Sequence, residues 1–300
     1  FWFNAGGESS AQVNITEDGN VVVTTGHPDI GGSRASIANI TAELLGIDVN
    51  RVSVLIGDTA SIGFSNLTGG SRVLFASALV VTESTNQVID ILKDRASKIW
   101  NIDKEAIEWE NGEARPAGDN AGKFKPLSLV ELAEQATPTG GPIGAGHQVN
   151  TVGAEGGFAT HICDVEVDIE LGIARVIRYT AAQDVGKAIH PAYVEGQLQG
   201  GVVQGIGWAL NEEYIYNKEG KLDNPGFLDY RIPVCSDLPM IDTILVEVPN
   251  PQHPQGVRGV GEVPIVPPLS AIANAIYNAI GTRFYSLPMS PPKVLEKISD

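Results

Sequence analysis

The sequence predicts an α+β fold built from two hairpin-plus-helix subdomains, and three observations carry that reading. Strand-like alternation followed by helix-like periodicity occurs twice in the same order. Gly and Pro gather between Thr137 and Gly146, where they punctuate rather than propagate structure. With 43% hydrophobic and 19% charged side chains in 300 residues, each half has enough apolar material for a packed core. The boundary in the Gly/Pro stretch gives subdomains at residues 1–142 and 143–300.

In chain order, residues 11–15 and 21–25 alternate around a turn at Asp18-Gly19, which reads as a β-hairpin. Ile37, Ile40, Leu44 and Ile47 then recur at helical spacing and Gly46 stands where a helix ends, so residues 33–46 read as helix. Residues 52–56 form a short buried strand, 73–100 a longer helix and 127–135 a smaller one. In the second half, residues 162–169 and 173–179 make another hairpin about Glu170-Leu171-Gly172. A helix over 191–210 follows, with Pro191 at its first position, where a missing N–H costs nothing. Inside it, Gly196, Gly200, Gly201, Gly205 and Gly207 each weaken the helix by about 1 kcal/mol relative to Ala. Close approach by another backbone or by a ligand is the natural compensation. The last helix expected carries Leu269, Ile272 and Ile276, with Pro267 and Pro268 at its start and Gly281 at its end.

Composition excludes several classes. A formal charge of -16, from 36 acidic and 20 basic side chains, repels a phosphate backbone, so no nucleic-acid partner is expected. No apolar run reaches the ~20 residues that cross a bilayer, and the opening Phe1-Trp-Phe-Asn-Ala lacks the features of a signal peptide. A soluble mature protein or fragment is the expectation. The chain starts without Met and enters strand-like alternation by Ser10, as a processed piece, a crystallised segment or a split subunit would. Cys163 and Cys235 are too few for a disulfide framework or for an iron-sulfur cluster, which usually takes about four thiolates, so any cluster is expected elsewhere. His161, Cys163 and Asp164 sit in strand alternation that does not converge on one metal, and no direct metal ligand is assigned.

Four glycine-bearing stretches feed or lie in helices: Gly31-Gly-Ser-Arg34, Gly69-Gly-Ser-Arg72, the helix over 196–207, and Gly256-Val-Arg-Gly-Val-Gly-Glu262. Such turns offer backbone N–H groups to an anion at a helix N-terminus. Arg34, Arg72 and Arg258 add guanidinium forks, which in so acidic a chain points to local anion binding. The plainer alternative for any one turn is a tight bend whose arginine pairs with a carboxylate. None has G-x-G-x-x-G spacing between strand and helix, and no G-x-x-x-x-G-K-S/T occurs, so nicotinamide and P-loop readings fail. Gln197 and Gln204, seven residues apart, share a helix face and could present amides to a heterocycle, or simply be solvated. Glu262 lies between a Gly-rich turn and the apolar Val-Pro-Ile-Val-Pro-Pro, a setting that strips water from a carboxylate and suits a general base. The alternative is a helix-start carboxylate favoured by the dipole.

Taken in order, Gly69-Gly-Ser-Arg-Val-Leu-Phe-Ala-Ser, the run from Asp184-Val-Gly-Lys-Ala-Ile-His-Pro to Gln204-Gly-Ile-Gly, and Gly259-Val-Gly-Glu-Val-Pro resemble the xanthine oxidase family of molybdenum hydroxylases. Phe227-Leu-Asp-Tyr-Arg-Ile-Pro233 is a less specific fourth segment. The likeness is nearly end to end and covers the C-terminal part of the molybdopterin-binding subunit. Xanthine dehydrogenases, aldehyde oxidoreductases, N-heterocycle hydroxylases and aerobic carbon monoxide dehydrogenases share that part.

The resemblance implies that the two subdomains are the α/β halves of a molybdenum cofactor-binding domain, the second carrying the catalytic glutamate. Glu262 then matches the base that deprotonates a molybdenum-bound hydroxyl, and Gln204 the glutamine near the metal's apical oxygen. Gly31, Gly32 and Ser33, and Gly70, Ser71, Arg72 and Val73, match turns that hold the pterin or its phosphate. Gln197, Gly200, Gly201, Arg258, Gly259, Val260 and Gly261 are implied as further cofactor-binding positions. Relatives read Gly-Gln-Gly where this chain has Asp29-Ile-Gly-Gly-Ser-Arg34, without the glutamine. The implied cofactor is molybdenum-molybdopterin, plain or as the cytosine dinucleotide, with iron-sulfur clusters and FAD on other chains or domains. Implied partners are the N-terminal half of the molybdenum subunit, an iron-sulfur subunit, a flavin subunit and a small-molecule substrate, an aldehyde or an N-heterocycle hydroxylated with oxygen from water. The cytoplasm is the implied compartment and the periplasm the alternative. Rival readings are a non-catalytic or cofactor-assembly subunit that kept the fold, and a generic anion-binding module.

Overall fold

In the computed structural model, which describes residues 2–3, 5–58, 60–151 and 156–299, the opening alternation becomes the hairpin β1 (Gly7–Ile15) and β2 (Val21–Thr25). Its inward face buries Ala11, Val13, Val21 and Val23. From β2 the chain crosses through α1 (Ser33–Leu45) to β3 (Val52–Ile56), which runs parallel to β2. The long α2 (Val73–Trp100) follows β3, and Val80, Val81, Val88 and Leu92 on it join the sheet's buried residues in one core. Both helices therefore begin downstream of the carboxyl ends of a parallel strand pair, where α/β sheets bind ligands.

A small sheet of β4 (Ile107–Glu110), β5 (Glu113–Pro116) and β6 (Leu127–Ser128) comes next. The expected helix over 127–135 starts slightly later, as α3 (Leu129–Glu134), because Ser128 and Glu131 form a capping box. The Ser128 N–H, then Lys125, hold the Glu131 carboxyl down to about 2. After the short α4 (Ala136–Thr139), the Gly/Pro stretch does not end a subdomain. It leads into β7 (Ile143–Thr151), which pairs antiparallel with β1 along its whole length and completes the order β3-β2-β1-β7. The compact N-terminal unit accordingly spans residues 4–154 and takes back 249–257, where the sequence reading divides the chain after 142.

The C-terminal unit comprises residues 1–3, 155–248 and 258–300. The expected hairpin is present as β8 (Ala159–Asp168) and β9 (Ile173–Asp184), each longer than its apolar alternation. The expected helix is α5 (Pro191–Leu210). A strand absent from the sequence reading, β10 (Ile241–Val246), joins β9 in parallel. Then comes α6 (Pro267–Ile280), which is not the last helix: α7 (Pro291–Ser299) follows and buries Val294. Tyr179, Val202, Ile206, Ile272, Ile276 and Met289 form the centre of this unit's core. The stretch Val263–Ile280 is apolar enough for a membrane span. The regular helix α6, however, begins at Pro267 and is only about 21 Å long, against the roughly 30 Å of a hydrocarbon core.

Candidate functional site

The N-terminal unit carries two sequence-predicted turns, one at the start of each long helix. Gly31 (φ 62°) and Gly32 (φ 76°) are both left-handed, a conformation that costs glycine nothing, and Gly32 caps α1. Ser33 is buried; its N–H donates to the Ile30 carbonyl at 3.3 Å and its hydroxyl to the Pro28 carbonyl at 3.3 Å. Arg34 is tied to Asp29 through its N–H at 3.1 Å and through its guanidinium at 3.3 Å. The second turn repeats the geometry with Gly70 (φ 66°) and Ser71 (φ 54°), followed by Arg72 and the buried Val73.

Arg72 is 1% exposed. Its guanidinium donates to the carbonyls of Gly6 (2.9 Å), Glu8 (2.8 Å), Asn66 (3.1 Å) and Leu67 (3.1 Å), which fastens the 66–72 loop to β1. Burial pulls its pKa below the usual arginine value, and Glu8 opposes that shift. At the end of β2, His27 is fully buried with Nε2 2.9 Å from the Ser9 hydroxyl, and its Nδ1 has no hydrogen-bond partner. Burial, then the charge of Arg72, push its pKa down to about 4, so the ring is neutral.

In the C-terminal unit, Tyr193, Gly196, Gly200, Gln204 and Trp208 form an exposed stripe along α5, with Gln197 half-buried at its edge. A Cβ added at Gly196 or Gly200 would meet nothing within 4 Å. On the other side of the helix, a Cβ at Gly201 would run into the ring of Pro264, and one at Gly205 would stand 2.6 Å from Pro268. Those two glycines let the segment after Glu262 lie directly on the helix. Gln204 and Ile265 line a cavity of about 430 Å3 together with Trp208, Glu212, Tyr214 and Tyr230. The Tyr230 hydroxyl donates to Glu212 at 2.8 Å, which pushes the phenol up to about 12.

Glu262 is half-buried and caps the short 3-10 turn Val263–Ile265. Upstream, Gly259 is buried. Arg258 Nε lies 3.2 Å from the Asp184 carboxylate, and its Nη1 donates to the Gly156 carbonyl at 3.4 Å. The Gln183 amide donates to the Val260 carbonyl at 3.5 Å, while its own oxygen is buried without a partner.

Two groups thus emerge, one per unit. Gly31 to Ser33 and Gly70 to Val73 stand at the starts of the helices that follow β2 and β3. In the other unit, the face of α5 is brought against the residues that follow Glu262. The three arginines expected to offer forks to an anion are engaged with protein groups: Arg34 with Asp29, Arg72 with carbonyls, Arg258 with Asp184. His27 and Gln183 carry no mark in the sequence beyond their residue types, and Asp184, which opens the family-like run to Gln204, is not among the residues expected in the site. Among the described residues, no group of His, Cys, Asp and Glu could hold a metal. His161 Nδ1 instead pairs with the Tyr179 hydroxyl at 2.9 Å, and burial pushes the Cys163 thiol up to about 12.

Left-handed turns at the starts of two helices that follow a parallel strand pair are places where an anionic group is favoured. The chain belongs to the molybdopterin cofactor-binding domain family, whose profile matches residues 1–239. It is 30% identical over 302 residues to the xanthine dehydrogenase molybdenum-binding subunit of Escherichia coli, an alignment covering 96% of this chain and 39% of that subunit. It is 29% identical to the nicotine 6-hydroxylase large subunit of Paenarthrobacter nicotinovorans, covering 95% of this chain and 36% of that one. Among solved structures, quinoline 2-oxidoreductase from Pseudomonas putida superposes with a TM-score of 0.87 at 26% identity, covering 98% of this chain and 38% of that one. The fold is also that of a copper- and molybdenum-containing carbon monoxide dehydrogenase, with a TM-score of 0.88 over 96% of this chain and 37% of that one, at 24% identity. The chain therefore spans under two fifths of the length of these relatives.

Proposed function

We propose that this chain belongs to the molybdenum cofactor-binding catalytic part of a xanthine oxidase-type hydroxylase that oxidises an aldehyde or an N-heterocyclic C–H carbon with oxygen from water. The observation that carries the reading is the half-buried Glu262 on a glycine turn, followed by a segment that packs on α5, whose opposite stripe is bare. The residues of α5 fit such a group: open space stands over Gly196 and Gly200, where a Cβ would meet nothing within 4 Å, and Gln204 is exposed on the same stripe.

When bound, the molybdenum cofactor, plain or as the cytosine dinucleotide, supplies the two-electron oxidation. Glu262 would act as the general base that takes up the proton of the water-derived hydroxyl that attacks the substrate carbon. Gln197 and Gln204 offer side-chain amides from α5, Gly200 leaves that face open, and Gly201, expected beside it, instead admits Pro264 on the other side of the helix. Gly31, Gly32 and Ser33, with Gly70, Ser71 and Val73, would form the turns that hold the pterin or its phosphate. Arg72 shapes the second turn through its carbonyl contacts. Arg258, Gly259, Val260 and Gly261 shape the turn that presents Glu262. Iron-sulfur clusters and FAD on other chains or domains would take up the two electrons, and the remaining part of the molybdenum subunit would complete the enzyme, in the cytoplasm.

Glu262→Gln in the assembled enzyme is expected to keep its molybdenum and lose about 10²–10⁴-fold in kcat, as removal of a general base does. Near-normal turnover would refute the assignment. One observation favours a second reading, a non-catalytic or assembly subunit: the turn at Gly31-Gly32-Ser33 has no glutamine. Molybdenum analysis of the purified complex separates the two, since only the catalytic reading requires a stoichiometric metal.

A further inference from the structure

A glycine-rich turn has no stiffness of its own, and Glu262 follows Gly256, Gly259 and Gly261. Two of the turn's anchors lie at the end of β9. Asp184, the strand's last residue, is fixed by its own contacts: its N–H donates to the Phe158 carbonyl at 2.9 Å, and its Oδ1 accepts from the Gly186 N–H at 3.1 Å. Its other oxygen meets Arg258 Nε at 3.2 Å, with side-chain exposures of 16% and 8%. The same guanidinium reaches the Gly156 carbonyl, so it joins the strand end to the residues before β8. Beside it, the fully buried Gln183 donates to the Val260 carbonyl. On the far side of Glu262, Val263 packs so closely on Gly157 that a Cβ there would lie 2.7 Å away. These anchors fall on residues 258, 260 and 263 and so bracket the carboxylate.

A buried ion pair adds little net stability over a well-packed apolar pair, because desolvation offsets the attraction. Its particular product is position, since the charge contact at 3.2 Å and the bond to the Gly156 carbonyl together fix where Arg258 lies. We propose that Asp184, assisted by Gln183, is a positioning residue for Glu262: the Asp184–Arg258 pair clamps the glycine turn and presents the carboxylate at one place. The inference rests on the reading of Glu262 as the base. Misplacing a reacting group by about 1 Å costs on the order of 100-fold in rate, so the clamp has a kinetic value larger than its stability value.

The test uses the assembled, molybdenum-loaded enzyme. Asp184→Asn takes a carboxylate charge away from the buried Arg258 and can destabilise the unit, so the deciding variant is the double Asp184→Leu/Arg258→Met, which removes both charges of the pair. Hydrogen exchange across residues 258–263 is read by mass spectrometry, alongside molybdenum content, kcat and KM. Exchange in that turn is expected to speed up on the order of tenfold while β8 and β9 stay protected. Alongside it, kcat falls about 10–100-fold, and KM and metal content hold. Arg258→Lys, which keeps a charge on Asp184, is expected to recover most of both losses. Unchanged exchange in the double variant overturns the clamp, whether or not kcat falls; so does faster exchange with wild-type kcat. Full turnover in Glu262→Gln would instead remove the base reading and leave the exchange result to judge the clamp by itself.

Discussion

Glycine serves both units, but in the turns before α1 and α2 it bends the chain and in α5 it thins it. Gly31, Gly32 and Gly70 all have positive φ, and a side chain there is resisted by the backbone itself. The glycines of α5 are helical. Gly201 and Gly205 matter because Pro264 and Pro268 occupy the place of a Cβ, and Gly196 and Gly200 because nothing does. The arginine behind each turn differs in the same way. Arg72 holds its loop through carbonyls alone, whereas Arg258 holds its turn through the Asp184 carboxylate. One composition therefore conceals several physical tasks, and substitutions can separate them.

The largest effect expected is at Arg72. Arg72→Met leaves the carbonyls of Gly6, Glu8, Asn66 and Leu67 without their donor. At about 1–3 kcal/mol for each unsatisfied buried group, and with partial relaxation, the N-terminal unit should lose roughly 3–4 kcal/mol, read as a lower urea midpoint. A midpoint equal to wild type would show that the loop holds itself. Next is Gly205→Ala, whose methyl must displace Pro268 or the Ile265 carbonyl; overpacking of this kind costs about 2 kcal/mol, visible as a lower Tm.

The histidines sharpen the comparison through pH. His27 in the N-terminal unit is neutral when folded, with its pKa near 4 instead of 6.5. Between those values the unfolded chain binds more protons, so the stabilisation is complete above pH 6.5 and is lost as pH falls toward 4. From pH 7 to 5 the loss is about 1–2 kcal/mol, and His27→Gln should flatten that part of the Tm–pH curve. His161 in the C-terminal unit is pushed by burial to the same level, so its own slope should survive the His27 substitution. The smallest effect has the opposite sign. Gly200→Ala has room for its methyl and should raise the stability of the chain by about 0.5–1 kcal/mol while weakening molybdenum retention, if the stripe faces the cofactor. Unaltered metal content in that variant would remove Gly200 from the cofactor site.

The elements that the sequence shows plainly are those whose signal is local. The first hairpin, α1, α2 and α5 all rest on periodicity within their own span. β7 escapes because Pro142, Gly144 and Gly146 look like punctuation. Gly144 is instead needed where β1 comes close, since a Cβ there would collide with the Asn14 side chain. β10 escapes because its partner β9 lies far back in the chain, and α7 because a proline pair at its start hides a short amphipathic run. The site divides likewise. Gly31-Gly32, Gly70-Ser71 and the turn before Glu262 are visible as glycine clusters. The tasks of their arginines are not, because the groups they meet are set by folding. Nor does anything in the type of Gln183 announce a contact with Val260, 77 residues away.

The stretch 249–257, which returns from the C-terminal unit to the N-terminal one, has a consequence for inheritance. Its His253 meets the Phe75 carbonyl at 3.0 Å and packs on that ring, and Gln255 reaches Thr82 at 3.4 Å, so the first turns of α2 are finished by residues encoded far downstream. No single cut in the gene releases either unit whole. Recombination that exchanges one half for a homologous half must also carry a nine-residue patch from the other, so the two halves are expected to diverge together rather than be shuffled as modules.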